Sequence, residues 1–204
     1  MLDRLRARLE TNLMSVGNWF ARLDRSPTAW TMVGLVISGI ASVAYSTSGY
    51  PGEALGGLLV LVAGWFDIVD GAVARVTGKM SKQGAFLDST LDRVAEVAVF
   101  GGIMLGGYSS PVLVLLALSF SLLVSYTRAK GDALGVTLSG VGIGERSERL
   151  LILAVFSILG LAYWGVILVL VVALYTFLER TVRAVASLRN TDAAPPRELT
   201  GVSR

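Results

Sequence analysis

The chain of 204 residues contains no cysteine and no histidine. These absences exclude disulfide bonds, zinc sites built on thiolate or imidazole ligands, and acid–base catalysis by imidazole. Any bound metal must therefore have oxygen ligands, which favours hard cations such as Mg²⁺, Mn²⁺ or Ca²⁺. Charged residues are also scarce, at 16% of the chain against about 25% in an average soluble domain.

Apolar residues, by contrast, make up 53% of the chain, and its mean hydropathy is +0.66. Such a chain cannot cover itself with a water-compatible surface, so the lipid bilayer is its expected solvent. Six apolar segments approach the ~20 residues that a membrane-spanning helix needs. The sequence therefore predicts an all-α integral membrane protein with six transmembrane helices, over about residues 30–49, 54–75, 85–107, 110–129, 146–161 and 163–187.

The lysines and arginines, 18 in all, support this arrangement. They occur in the two terminal segments and in or beside the second and fourth connections, whereas the other three connections contain none. Because cytoplasmic segments of membrane proteins are enriched in Lys and Arg, we predict that both termini and the functional site face the cytoplasm at the cell membrane. These basic residues are assigned to the membrane surface, and no nucleic-acid partner is predicted.

Three regions are predicted along the chain. Residues 26–189 form the six-span domain, and the polar residues 190–204 form a disordered cytoplasmic tail. Residues 1–25 form a cytoplasmic juxtamembrane segment whose apolar residues recur at three- or four-residue intervals, as Leu2, Leu5, Leu9, Leu13, Val16 and Phe20. This spacing indicates an amphipathic helix that lies either on the membrane surface or against the loops of the domain.

Four aspartates stand out within the second and third spans. Asp67 and Asp70 are three residues apart and Asp88 and Asp92 four apart, so each pair shares one helix face. The short connection makes the two spans antiparallel neighbours, so all four carboxylates can converge near one membrane surface. An isolated carboxylate at the bilayer centre costs ~2.5–3.5 kcal/mol, and two divalent cations would balance four of them. The alternative is a structural set of salt bridges with Arg75, Lys79, Lys82 and Arg93.

Two glycines fit the same interpretation. Gly71 and Gly84 remove side chains where a bulky ligand could approach the helix backbone. Arg75, one turn past Gly71, can neutralise a phosphate or pair with an aspartate. Two adjacent metal ions stabilise both the attacking and the leaving oxygen of a phosphoryl displacement, so this reaction class is favoured.

These residues resemble the signature of the CDP-alcohol phosphatidyltransferase family, since they read Asp67-x2-Asp70-Gly71-x2-Ala74-Arg75-x8-Gly84-x3-Asp88-x3-Asp92. The resemblance implies a metal-dependent enzyme of phospholipid biosynthesis that transfers a phosphatidyl group from a CDP-lipid to an alcohol and releases CMP. It also implies a homodimer and two Mg²⁺ or Mn²⁺ ions. Asp67, Asp70 and Asp88 would be metal ligands, and Asp92 a ligand of the second metal and the general base. The CDP-lipid would contact Thr31, Asp67, Gly71, Ala74, Arg75 and Gly84.

Segments around residues 125–130, 144–150 and 179–180 resemble the branch of this family that uses inositol 1-phosphate, with CDP-diacylglycerol or CDP-archaeol as donor. The resemblance implies that Arg128, Arg149 and Arg180 bind the acceptor's phosphate. Alternatively, these arginines only satisfy the positive-inside bias, to which Lys130, Arg146 and Arg183 are assigned. Many relatives carry Gln where this chain has Glu179.

Several alternatives remain at this stage. Glycerol 3-phosphate or serine could replace inositol 1-phosphate as the acceptor. A divalent-cation transporter could also use acidic residues within the membrane. Small residues of the third span either form a homodimer contact or pack within the bundle, namely Gly101, Gly102, Gly106 and Gly107.

Overall fold

The computed structural model describes residues 14–23, 26–138 and 140–192. Regular secondary structure in these ranges is entirely helical, as predicted. A short helical segment covers residues 14–21. Six longer helices follow, α1 (Pro27–Ser46), α2 (Tyr50–Val76), α3 (Lys82–Leu105), α4 (Pro111–Ala133), α5 (Arg146–Ile158) and α6 (Ala162–Asp192).

Local sequence signals explain where these helices begin. The Ser26 hydroxyl accepts the Ala29 N–H at 3.3 Å, and Pro27 occupies the first turn of α1, as the sequence predicts. Ser81 caps α3 in the same way by accepting the Gly84 N–H at 3.0 Å. Each of the six helices overlaps one of the six predicted spans.

The helices differ in their fitness to cross a membrane. Four are long and apolar enough by length and composition, α1, α2, α4 and the part of α6 that ends at Arg189. The 13 residues of α5 extend only about 20 Å, at ~1.5 Å per residue, against the ~30 Å of a bilayer core. Charged residues make α3 too polar in its N-terminal part, at Lys82, Asp88, Asp92, Arg93 and Glu96. The structure thus gives a multi-pass membrane protein with four candidate spans and does not confirm six.

The helices pack around one apolar core. α1 packs against α2 and α3, α5 against α2 and α6, and α4 chiefly against α6. Tyr45, Phe100, Ile103 and Leu153 are fully buried at the centre of the bundle. A side chain at Gly102 would collide with the Ser42 backbone on α1, so this glycine allows α1 and α3 to approach closely.

The other small residues of α3 divide between the two predicted alternatives. Gly106 contacts the Tyr45 backbone, so it packs within the bundle as Gly102 does. Gly101 and Gly107 face open space instead. Packing inside the bundle is therefore observed for half of this face, and the homodimer stays a prediction.

The helical segment at residues 14–21 lies against the bundle. A Cβ atom at Gly17 would lie 2.9 Å from the Ala72 carbonyl of α2. The Phe20 ring contacts Trp30 and Phe66 edge to face, with centroids 4.9 and 6.3 Å apart. The remainder of the predicted amphipathic helix and most of the predicted tail, residues 1–13 and 193–204, lie outside the described residues.

The antiparallel order of the helices gives the bundle two distinct ends. The three short turns at residues 47–49, 106–110 and 159–161 meet at one end, here called the loop end. The other end, here called the acidic end, carries the four aspartates. The turns of the loop end contain no Lys or Arg, which agrees with the predicted topology, although the orientation in the membrane stays a prediction.

Candidate active site

Three of the four aspartates converge at the acidic end of α2 and α3. Asp67, Asp70 and Asp88 each offer a carboxylate oxygen, and these oxygens lie within 4.8 Å of one another. Asp70 is only 6% exposed and accepts a hydrogen bond from the Thr31 hydroxyl at 2.6 Å. The Asp88 Oδ1 atom is buried without a hydrogen-bond partner among the described residues. A buried carboxylate oxygen with unused lone pairs, beside two other carboxylates, is a suitable donor for a hard divalent cation.

The fourth aspartate, Asp92, lies beside this cluster. Its Oδ1 atom is 2.7 Å from Arg146 Nη1, and its Oδ2 atom is 3.3 Å from Arg93 Nη1. The same Arg146 nitrogen lies 3.3 Å from Asp67 Oδ1. A single guanidinium therefore joins Asp92 to the cluster, although Arg146 is assigned to the positive-inside bias on sequence alone.

The alternative of a purely structural salt-bridge set finds little support in this geometry. Within the described part of the chain, Arg93 is the only one of its four proposed basic partners that contacts an aspartate. Arg75, Lys79 and Lys82 are not paired with the cluster there.

A first cleft, of about 410 Å³, opens beside Asp70 and Asp88. Of the residues predicted to contact the CDP-lipid, Thr31, Gly71, Ala74 and Gly84 line it, whereas Asp67 and Arg75 do not. Open space surrounds the point where a Gly71 side chain would begin, so the glycine leaves the helix backbone accessible to a ligand. The lining also includes Lys79 and Lys82, which the sequence suggested only as possible salt-bridge partners of the aspartates.

A second cleft, of about 640 Å³, opens on the other side of the cluster. Its acidic lining consists of Asp67, Asp88, Asp92, Asp132 and Glu145. The same cleft is lined by arginines from four helices, which include the three predicted for the acceptor: Arg93, Arg128, Arg146, Arg149 and Arg180. The three predicted arginines thus line one cleft together with three of the four aspartates.

Arg149 is held by a buried network that the sequence analysis did not identify. Its side chain is 1% exposed, and its Nε atom donates to the Ser121 hydroxyl at 2.5 Å. The Nη1 atom donates to the Gly144 carbonyl at 2.6 Å, and Nη2 lies 3.6 Å from Glu96 Oε1. Ser121 in turn donates to Glu96 Oε1 at 2.6 Å. Glu96 and Ser121 therefore hold the Arg149 guanidinium in one orientation.

Arg180 is equally buried but less completely bonded. Its Nε and Nη1 atoms donate to the carbonyls of Val141 and Val124, at 2.9 and 3.1 Å. Its Nη2 atom makes no hydrogen bond with any described residue, and Glu145 Oε1 lies 3.9 Å from it. The same Glu145 oxygen is 4.0 Å from Arg128, whose side chain is 46% exposed. Arg180 thus has one buried donor without a partner, and Arg128 has an exposed guanidinium, and both residues line the second cleft.

A family model described as CDP-alcohol phosphatidyltransferase matches residues 25–178. The archaetidylinositol phosphate synthase of Pyrococcus horikoshii is 35% identical over 184 residues, which cover 90% of this chain and 96% of the relative. The phosphatidylinositol phosphate synthase of Streptomyces avermitilis is 38% identical over 172 residues, covering 73% of this chain and 69% of the relative.

The solved structures that this chain resembles include a protein of the same name. The phosphatidylinositol phosphate synthase of Mycobacterium tuberculosis with CDP-DAG bound superposes with a TM-score of 0.69 at 27% identity, covering 84% of this chain and 92% of that one. The same enzyme in complex with manganese and citrate gives a TM-score of 0.70, covering 84% and 88%. The likeness therefore extends over most of both chains.

Proposed function

Because this chain belongs to the CDP-alcohol phosphatidyltransferase family and is therefore a transferase of phospholipid synthesis, we propose that it joins a CDP-lipid to inositol 1-phosphate. The donor is CDP-diacylglycerol or CDP-archaeol, and the second product is CMP. One observation carries the proposal: Asp88 lines both clefts, so the aspartates lie where the two clefts meet. Two substrates can thus meet at the carboxylates from opposite sides.

The first cleft is proposed to hold the cytidine diphosphate of the donor. Thr31, Gly71, Ala74 and Gly84 form its walls, and Lys79 and Lys82 supply positive charge for the pyrophosphate. Asp67 and Arg75 complete the predicted set of contacts, although they do not line the cleft itself. The CDP-DAG complex of the mycobacterial relative supports a CDP-lipid donor.

The aspartates are proposed to hold two divalent ions, Mg²⁺ or Mn²⁺. Asp67, Asp70 and Asp88 fit this role because their oxygens converge and are all hard donors. Asp92 would serve the second ion. When bound, such ions neutralise charge on the pyrophosphate and stabilise the attacking and leaving oxygens. The manganese complex of the mycobacterial relative supports divalent-metal binding.

Asp92 is proposed as the general base. It lines the second cleft next to the cluster, where its carboxylate can accept the proton of an acceptor hydroxyl. The hydroxyl oxygen forms a new bond to the lipid-bearing phosphorus, and the phosphoanhydride bond to CMP breaks. The proton remains on Asp92 until solvent removes it.

The second cleft is proposed to recognise the acceptor through its phosphate. Arg128 offers an exposed guanidinium, Arg180 has one donor without a protein partner, and Arg149 adds a fixed positive charge. Serine carries no phosphate and would leave these charges uncompensated, so it is disfavoured as acceptor. Glycerol 3-phosphate would satisfy the arginines equally well, but the relatives' names favour inositol phosphate.

The membrane arrangement is part of the same proposal. All six helices of residues 26–189 cross or enter the bilayer, both termini are cytoplasmic, and the acidic end meets the cytoplasm. A phosphorylated, water-soluble acceptor then reaches the second cleft from the aqueous side. A homodimer is proposed on family grounds alone.

One assay tests the function. Purified protein is mixed with CDP-diacylglycerol or CDP-archaeol, Mg²⁺ and one acceptor, and CMP release is measured. We expect CMP with inositol 1-phosphate and none after chelation of the metal. CMP release with glycerol 3-phosphate alone would reject the acceptor, and no release with any acceptor would reject the proposed reaction.

A further inference from the structure

We propose that Arg146 is the counter-charge of Asp67 and Asp92 and that it competes with a divalent cation for these carboxylates. The inference rests on the proposed function, because it concerns the cation that the aspartates are expected to bind. It gives a role in the reaction centre to a residue whose position in the sequence suggests only membrane topology.

The contacts of Arg146 are specific to the aspartates. One nitrogen, Nη1, lies 2.7 Å from Asp92 Oδ1 and 3.3 Å from Asp67 Oδ1. The side chain is 18% exposed, and its Nε atom is buried without a partner among the described residues. Leaving the buried Nε donor without a hydrogen bond is costly. The orientation of the guanidinium is therefore determined by its contacts with the two carboxylates and not by hydration.

Arg183 shows what a surface arginine of this chain does instead. It is 60% exposed and pairs with Glu179 one helical turn away on α6. Arg183 lies outside both clefts. It therefore provides a control with the same change of charge and no contact to the aspartates.

Charge balance explains why Arg146 would compete with a cation. When fully ionised, the four aspartates carry four negative charges, and among the described residues the cations in direct contact with them are Arg93 and Arg146. Two divalent cations would bring four positive charges and balance the carboxylates alone. The Arg146 charge therefore stabilises the metal-free cluster and opposes the loaded one. The second cleft, which Arg146 also lines, gives the displaced guanidinium room to move.

A Mn²⁺ titration tests this competition directly. Free Mn²⁺ is measured by electron paramagnetic resonance in detergent solutions of the wild type, Arg146→Gln and Arg183→Gln, without nucleotide or acceptor. We expect Arg146→Gln to bind Mn²⁺ roughly tenfold more tightly than the wild type. Changes in metal affinity of this size are common when a residue that contacts the metal ligands is replaced. Arg183→Gln should match the wild type.

Thermal unfolding gives a second readout. Since a ligand that binds the folded state stabilises it by mass action, the rise in unfolding temperature on adding Mn²⁺ should be larger for Arg146→Gln than for the wild type. Arg146→Lys keeps the charge but places it on a shorter side chain as a more strongly hydrated ammonium. Its Mn²⁺ affinity should lie between those of the wild type and Arg146→Gln.

The possible failures are distinguishable. If Arg146→Gln and Arg146→Lys bind Mn²⁺ no more tightly than the wild type, the Arg146 proposal is wrong while the proposed function stands. If neither the wild type nor any variant binds Mn²⁺, both proposals fail.

Discussion

The loop end and the acidic end of the bundle use polar groups in opposite ways. At the loop end, polar side chains fasten one turn to another. The Tyr108 hydroxyl lies 2.5 and 2.8 Å from the carbonyls of Thr47 and Gly49, and Tyr50 donates to the Ile158 carbonyl at 3.1 Å. The buried Glu53 accepts the Ala162 N–H at 2.5 Å, at the start of α6.

At the acidic end, bonding capacity is left unused. Asp88 Oδ1, Arg146 Nε and Arg180 Nη2 are buried without hydrogen-bond partners among the described residues, and all three side chains border a cleft. Three further atoms in this condition border neither cleft: Trp30 Nε1, Glu96 Oε2 and Thr176 Oγ1. The loop end leaves only a neutral hydroxyl, that of Ser109, in this condition within the same ranges. Unsatisfied buried polar groups are costly, so their concentration beside open clefts indicates a site built for charged ligands. The loop end is built for stability.

The largest effect is expected from Asp92→Asn at the acidic end. Loss of a general base should lower kcat by about 10²–10⁴-fold. CDP-lipid binding should change little, because Asp92 does not line the first cleft. CMP release and CDP-lipid binding are measured on the same preparation. Glu179→Gln serves as the control because it removes the same charge at a residue that lines neither cleft. A kcat within a few-fold of wild type for Asp92→Asn would refute the assignment.

Glu96→Gln should affect stability and acceptor binding together. Removing one partner of a buried ion pair costs about 3–5 kcal/mol, and Glu96 is fully buried against Arg149 and Ser121. We expect a clear fall in the thermal unfolding temperature and a higher KM for inositol 1-phosphate. An unchanged unfolding temperature would mean that the Glu96–Arg149 ion pair does not stabilise the fold.

Arg128→Ala should weaken acceptor binding without affecting the fold. A hydrogen bond to a charged group contributes about 1.5–3 kcal/mol, so KM for inositol 1-phosphate should rise roughly tenfold or more. Lys130→Ala is a matched control, since Lys130 is exposed on the same helix and lies outside the second cleft. Equal KM values in the two variants would argue against phosphate recognition by Arg128.

Tyr108→Phe should have the smallest effect, at the loop end. Loss of its hydroxyl contacts should lower stability by about 1 kcal/mol and leave kcat and both KM values unchanged. Thermal unfolding and steady-state kinetics measure the two quantities. A large loss of turnover in a folded Tyr108→Phe protein would contradict the proposal that the loop end serves stability and the acidic end serves the reaction.

The fold was largely predictable because its signals are local. Apolar runs separated by turn residues gave all six helices, and Ser26 with Pro27 marked the start of α1. Membrane crossing was less predictable. α5 is short because the chain turns at residues 159–161, and α3 is polar because it carries half of the acidic site.

The site was predictable where fixed spacing puts residues on one helix face, as for Asp67 with Asp70. Residues whose environment depends on contacts between distant helices were missed, since spacing does not reveal them. Arg146 meets Asp67 across 79 positions, and Arg149 meets Ser121 across 28. Glu96 did offer a signal: a carboxylate one turn beyond Asp92 in an apolar segment is rare unless it is paired or functional.

Anomalous diffraction from crystals grown with Mn²⁺ tests the central claim most directly, because it locates the ions without reference to activity. We expect a manganese signal bounded by the carboxylates of Asp67, Asp70 and Asp88, and a second one beside Asp92. A protein that turns over with Mn²⁺ but shows no signal between α2 and α3 would contradict the account.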